Sequence, residues 1–269
     1  MTQEQMRQVV LSDPETRDLA ISELDLFRVY QYVMAKKDNV IIDGYRPKLR
    51  TKPYIEIVYV PTKEKAEANR LERIKRNLKF FDSEVYIQDA SLNHFDILND
   101  ERQKAYDLAV DFLANYRKDK FYKGLYIYGQ YATGKSFLLS AIAKELALRD
   151  VAVLFAYMPD LVRNIKQGMN DGNLEQRINE LKQVDVLILD DLGGENMSNW
   201  FRDEVLVPVL QYRLSAHLPI FISSNFDMRQ LVEAFAMTKD ETSRVKAARL
   251  IQRIKDLTTY VKLSESRFK

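Results

Sequence analysis

The run Gly129-Gln-Tyr-Ala-Thr133-Gly134-Lys135-Ser136 has the glycine, lysine and hydroxyl spacing of a loop that wraps a phosphate chain. Gly129 and Gly134 let the backbone approach closely, Lys135 can reach the β- and γ-phosphates, and Ser136 can ligate Mg2+. Thr133 and Phe137 flank the turn and complete the candidate nucleotide-holding set. Several donors must converge on a phosphate, and a loop closing onto a helix N-terminus supplies backbone N–H groups together with the helix dipole. The chemistry to expect here is binding of ATP with Mg2+.

Three further groups suit that chemistry. Val186-Leu-Ile-Leu-Asp190-Asp191 is an apolar strand ending in two carboxylates, as a Walker B strand does. Asp190 would hold Mg2+ through its water shell, and Asp191 stands where many ATPases carry a water-orienting Glu. The shorter Asp side chain withdraws the carboxylate by about one bond, so intrinsic hydrolysis should be slow. The bland alternative is that these carboxylates only begin a loop. Ile220-Phe-Ile-Ser-Ser-Asn225 ends a further strand in an amide that can hydrogen-bond the γ-phosphate or the lytic water, or else serve as a turn residue. In Lys246-Ala-Ala-Arg249-Leu-Ile-Gln-Arg253-Ile-Lys, the stripe Ala247, Leu250, Ile251, Ile254 and Leu257 leaves Arg249 and Arg253 one turn apart on another face. They can meet phosphate charge within the protomer or across to a neighbour, or lie solvated.

The elements that must position these groups alternate. Helix is expected at 100–117, from Lys135 to about Leu148, from Leu161 and near 200–214, and strand at Leu125–Tyr128, Val151–Tyr157, Val184–Leu189 and Pro219–Ser223. That alternation predicts a central parallel sheet flanked by helices. Pro208 should kink its helix unless it lies near an end. Upstream, Leu24, Phe27, Tyr30 and Met34 fall at helical spacing, and residues 45–60 suit strands. Leu71, Ile74, Leu78 and Phe81 then mark one face of a strongly basic helix, either simply solvated or meeting phosphates or an acidic partner. Periodicity fades between Asp82 and Asn93, which divides a small α+β N-terminal module, 1–90, from an ATPase domain, 91–269.

A chain of 269 residues with 46% hydrophobic and 30% charged residues can bury a sizeable core. Its net charge of +2 does not by itself argue for nucleic acid. With no cysteine and only His94 and His217, it offers no disulfide and no Cys/His zinc site. No secretory leader or membrane-spanning run is evident, so a cytoplasmic protein that does not engage a membrane is expected.

The P-loop with its preceding Gly124-Leu-Tyr-Ile-Tyr, the run from Leu189-Asp-Asp-Leu-Gly-Gly to Trp200-Phe-Arg-Asp-Glu-Val, Ser223-Ser-Asn-Phe, and Lys246-Ala-Ala-Arg-Leu-Ile-Gln-Arg-Ile together resemble the bacterial replicative helicase loaders of DnaI type, relatives of DnaC. The likeness is good over 93–269 and weaker through Gly44-Tyr-Arg-Pro-Lys-Leu and Ile55-Glu-Ile-Val-Tyr. It implies an AAA+ P-loop ATPase, stimulated by its partners, that delivers a hexameric helicase onto single-stranded DNA alongside other primosome proteins. By the resemblance, Lys135 and Ser136 take Walker A roles, Asp190 and Asp191 Walker B roles, Asn225 that of sensor 1, Arg249 that of arginine finger and Arg253 that of sensor 2. It also places single-strand contacts on the insertion from Leu161 to Lys182, with Arg163 and Lys166 as candidates, and gives the N-terminal module the grip on the helicase. Many such loaders build that module around a zinc cluster, which a chain without cysteine cannot copy. Rival readings are a transposition-helper ATPase of IstB type, an adaptor that binds ATP without turning it over, and a small-molecule kinase, for which no lid or acceptor pocket can be identified.

Overall fold

A computed structural model describes residues 2–81, 87–193, 197–236 and 241–265. The chain divides into two compact units, Met1–Glu72 and Arg73–Lys269. The division precedes the boundary expected at residue 90, because Arg73 and Arg76 pair with Asp150 and Leu78–Phe80 then joins the larger sheet.

In the first unit, helix α1 (Gln3–Ser12) begins at a capping box in which Thr2 and Gln5 satisfy each other's backbone N–H groups. Sequence periodicity gave no sign of it. Helix α2 (Glu23–Lys37) is capped by Ser22. Its buried face is Leu26, Val29, Tyr32 and Val33, not the expected one: Leu24 is 92% exposed and Phe27 56%. The helix is apolar around much of its girth, so spacing alone did not fix which stripe meets Val10 of α1 and Leu49 of the hairpin. Strands β1 (Tyr45–Arg50) and β2 (Glu56–Pro61) pair antiparallel. Lys36 Nζ lies 2.9 Å from Asp13 and 3.0 Å from Glu15, which also accepts the Tyr32 hydroxyl hydrogen at 2.7 Å.

Helix α3 (Lys63–Asn77) buries none of its residues. Leu78 and Phe81, expected on its apolar face, lie beyond its end. Leu78 opens strand β3 (Leu78–Phe80), and both side chains sit in the core of the larger unit. Within that unit Arg73 and Arg76 pair with Asp150, at 3.8 and 2.6 Å, so these two charges of the basic stretch are already engaged.

Helix α4 (Asp100–Asn115) then leads to β4 (Gly124–Tyr128), α5 (Lys135–Leu148), β5 (Val153–Tyr157), α6 (Met158–Asp171), α7 (Leu174–Gln183) and β6 (Val186–Asp190). After a π-helical turn, Phe201–Leu206, come α8 (Val207–Ser215), β7 (Ile220–Ser224), α9 (Met228–Phe235), α10 (Glu241–Leu257) and β8 (Thr258–Lys262). Pro208 thus stands in the first turn of α8, where its missing N–H is harmless, and the irregularity it would cause precedes it as the π turn. The strands run parallel in the order β3-β5-β6-β7-β4-β8.

Alternate residues of each central strand serve opposite faces. Tyr126, Leu187 and Ile222 pack with residues of α6 to α10, while Leu125, Ile127, Ile188 and Phe221 pack with α4 and α5. Burial on both faces explains why these strands read as continuous apolar runs. Arg213, fully buried, donates to five backbone carbonyls between Leu181 and Pro219, and burial pulls its guanidinium down to about 9.

Candidate functional site

The adjacent strands β6, β7 and β4 end side by side, and their C-terminal ends carry Asp190, Asn225 and the P-loop. Ligands in open parallel sheets gather at that edge. Gly129 is required there: a Cβ would fall 2.0 Å from the Leu263 carbonyl oxygen. Gly134, at φ +91, begins α5 without a side-chain cap, which leaves the first N–H groups of the helix free for an anion. Thr133 is buried and donates its hydroxyl to the Gln130 carbonyl at 3.0 Å. Phe137 packs its ring toward the core, so only its backbone belongs to the cradle.

Two polar chains cross the site. Lys135 Nζ donates to the carbonyls of Gly129 and Gln130 and, at 2.8 Å, to Asn225 Oδ1; Asn225 Nδ2 donates in turn to Asp191 at 2.9 Å. Ser136 Oγ donates to Asp190 Oδ1 at 3.0 Å, and Ser223 Oγ donates to the same oxygen at 2.5 Å while accepting the Asp191 N–H at 2.9 Å. Asp191 sits at φ +62, a conformation Asp tolerates better than most residues. Burial pushes the Asp190 carboxyl up against the pull of the two hydroxyls, and burial pulls the Lys135 ammonium down against the attraction of Asp191 and Asp190. A triphosphate would give the buried lysine a counter-charge, and a divalent cation would do so for the Asp190 carboxylate beside the Ser136 hydroxyl. The donor set therefore fits ATP with Mg2+, which takes few protein ligands when phosphates complete its shell.

Two contributors escaped sequence reasoning. Ser223 sets the backbone of Asp191 and one oxygen of Asp190. Arg102 on α4 is only 5% exposed and donates to the carbonyls of Thr133 at 2.6 Å, Asp96 at 2.5 Å and Glu265 at 3.3 Å, with Phe95 beneath its guanidinium at 4.5 Å. Its signal was an arginine on the stripe that α4 buries with Ala105, Ala109, Phe112 and Leu113.

Other expected site residues make no hydrogen bond to the P-loop, Asp190, Asp191 or Asn225 among the described residues. The register pairs Thr258 with Gly124, so α10 ends at the sheet edge opposite the P-loop. Arg253 lies one turn before that end and donates to Gln211 of α8 at 2.8 Å and to the Arg249 carbonyl. Within the protomer, Arg253 is thus held by Gln211 and the Arg249 carbonyl and, among the described residues, makes no hydrogen bond to the P-loop. Arg249 is exposed higher on the helix, open to a neighbour. Arg163 and Lys166 are exposed on α6, and Arg163 pairs with Asp160. Gly194, Glu195 and Asn196 of the run after β6 lie outside the described residues.

A parallel sheet carrying a P-loop, a carboxylate-ended strand and an amide between them defines a P-loop ATP-binding protein of AAA+ type. The family model of IstB-like ATP-binding proteins matches residues 67–259. The replicative helicase loader DnaI of Bacillus subtilis is 35% identical over 97% of this chain and 91% of its own length. A DnaI crystal structure shares 41% identity at a TM-score of 0.66, covering 70% of this chain and 98% of that one. The DnaC helicase loader structure, at 22% identity and a TM-score of 0.57 over 68% of this chain and all of that one, shares the fold. The chain belongs to the IstB-like ATP-binding family and, within the helicase loaders, to the DnaI type.

Proposed function

We propose that this protein is an ATP-gated loader that delivers the hexameric replicative helicase onto single-stranded DNA, in the cytoplasm, during initiation or restart of replication. The observation that carries this reading is the extent of the likeness. Identity to B. subtilis DnaI runs over 97% of the chain, through the N-terminal unit as well, whereas the IstB-like model matches from residue 67. The likeness upstream of residue 67 is therefore to the loader and is not carried by the ATPase model. The N-terminal unit then supplies the grip on the helicase, built on its own apolar core of Val10, Val29, Val33 and Leu49.

In this reading the P-loop amides and Lys135 hold the phosphates, and Ser136 and Asp190 hold Mg2+. Bound Mg2+ supplies neutralisation of charge on the β- and γ-oxygens. Asp191 orients the attacking water, and Asn225 reports the phosphates to it, since it touches both Lys135 and Asp191. Arg249 reaches charge on a neighbouring protomer. Hydrolysis is slow alone and faster with partners, so ATP holds one arrangement of loader on helicase and its hydrolysis releases it.

The test is copurification with a hexameric helicase, followed by steady-state ATPase and loading assays with and without single-stranded DNA. Lys135→Ala should abolish loading. Loading that survives this change sinks the switch, and no association with the helicase returns the protein to the transposition-helper or adaptor readings.

A further inference from the structure

Strand β8 is an edge strand, and a cavity of about 730 Å³ lies along it, lined by Lys104, Lys123, Lys255, Arg229, Tyr128 and Tyr260 among others. The four cations come from α4, the approach to β4, the end of α10 and the start of α9. All four are exposed, and none has a carboxylate partner among the described residues. The one carboxylate in the lining, Asp227, is occupied in accepting the Arg229 and Gln230 N–H groups as the cap of α9. A lining of four cations against one anion concentrates positive charge on a chain whose net charge is only +2. Through this lining run two aromatic rings, Tyr128 and Tyr260, with centroids 6.4 Å apart and Tyr260 63% exposed.

An exposed tyrosine, Tyr260, with the half-buried Tyr128 behind it and cations without ion-pair partners around it, is the combination that binds single-stranded nucleic acid, with the ring stacking an unpaired base and the cations tracking phosphates. An acidic peptide would use the cations but has no need of the rings, and duplex DNA cannot offer an unstacked base to them. We infer that the β8 groove is a single-stranded DNA contact of this protein, separate from the P-loop and from α6. Helix α6 follows β5, and β6, β7 and β4 stand between β5 and β8, so Arg163 and Lys166 belong to a different part of the surface. The ligand class agrees with the replication reading, but the groove's chemistry stands without it.

The experiment is fluorescence anisotropy of the full chain with a labelled oligo(dT) across a salt series, alongside nucleotide binding as a fold control. Lys104→Glu with Lys255→Glu should weaken binding at least tenfold and flatten the salt slope by roughly 1.4, about 0.7 for each phosphate that is no longer neutralised. Tyr260→Ala should weaken it about 5- to 150-fold, from the range known for base stacking on aromatics, and Tyr260→Phe should restore it. Unchanged affinity in the charge variants, with loss in Arg163→Ala or Lys166→Ala instead, overturns the groove and leaves the loader reading intact. Displacement of oligo(dT) by polyglutamate with no effect of Tyr260→Ala overturns it in favour of an acidic protein partner. Helicase copurification is scored separately, so failure of the loader reading is recognised by itself.

Discussion

Replacing Arg102 by Ala tests whether the P-loop is held from beneath. Its two short bonds, to the Thr133 and Asp96 carbonyls at 2.6 and 2.5 Å, are charge-assisted and largely shielded from water. Such bonds contribute about 1.5–3 kcal/mol each, and the contact over Phe95 about 0.5–2 kcal/mol. Against this stands the cost of burying a guanidinium, which pulls its pKa down despite Asp96 and Glu265 nearby. The net loss should be about 2–4 kcal/mol of stability. Because Thr133 directly precedes Gly134, the cap of α5, part of that loss falls on the loop geometry that ATP must find ready-made. Each 1.4 kcal/mol the nucleotide must supply to re-form it weakens binding about tenfold. Titration with a fluorescent ATP analogue, beside thermal unfolding, separates the two effects. Arg102→Lys, which can reach one carbonyl in place of three, should fall between. If Arg102→Ala lowers the melting temperature but leaves nucleotide affinity within twofold of the parent, the coupling to the P-loop is wrong.

The two arginines of α10 should part company: Arg249→Ala is expected to lower partner-stimulated hydrolysis about 1,000-fold or more with the ATP affinity of the isolated protein unchanged, consistent with an arginine supplied in trans, whereas Arg253→Ala, which breaks a contact to Gln211, should change hydrolysis little in single-turnover assays. The N-terminal unit should lose stability in acid. Asp13 is raised by burial but lowered further by Lys36 and neighbours, and Glu15 is lowered first by the Tyr32 hydroxyl. Folded values below the ordinary 3.8 and 4.5 mean that this stability is present above pH 4.5 and drains away as pH falls through the folded values. Lys36, raised chiefly by Asp13, keeps its share up to its ordinary 10.5 and loses it above. Lys36→Met should therefore cost about 1–2 kcal/mol at neutral pH and flatten the acid limb, as measured by urea unfolding from pH 2 to 7.

Much of the nucleotide site was legible because its strands are buried on both faces. Leu125–Tyr128, Val186–Leu189 and Ile220–Phe221 could only be central strands, and the residues ending them had to meet at one edge. What escaped was relational. The spacing of Arg249 and Arg253 gives their face of the helix but not their height above the sheet, which the pairing of Thr258 with Gly124 decides. Helix α2 carries apolar residues on two stripes, and only the position of Val10 and Leu49 chooses between them. Strand β3 is three residues long and directly follows a basic helix, so its periodicity merged with that of α3.

The polar chains of the site also supply a physical route by which phosphate occupancy would reach other parts of the fold. Asn225 joins Lys135 to Asp191, and two residues later Asp227 caps α9. Helix α9 packs along α10, which carries the exposed Arg249. A ligand that draws Lys135 from Asn225 thus acts on a side chain whose backbone leads into the cap of the helix supporting the arginine. Such a route transmits only if the two ends favour different arrangements, and linkage then makes the effect reciprocal. If Arg249 engages a neighbour's phosphates, that engagement changes this protomer's own ATP affinity by the same factor that its ATP changes the engagement. Asn225 is the place to break that reciprocity, because Asn225→Ala removes the amide that touches both sides while leaving Ser136, Asp190 and Ser223 in their own hydrogen-bonded chain.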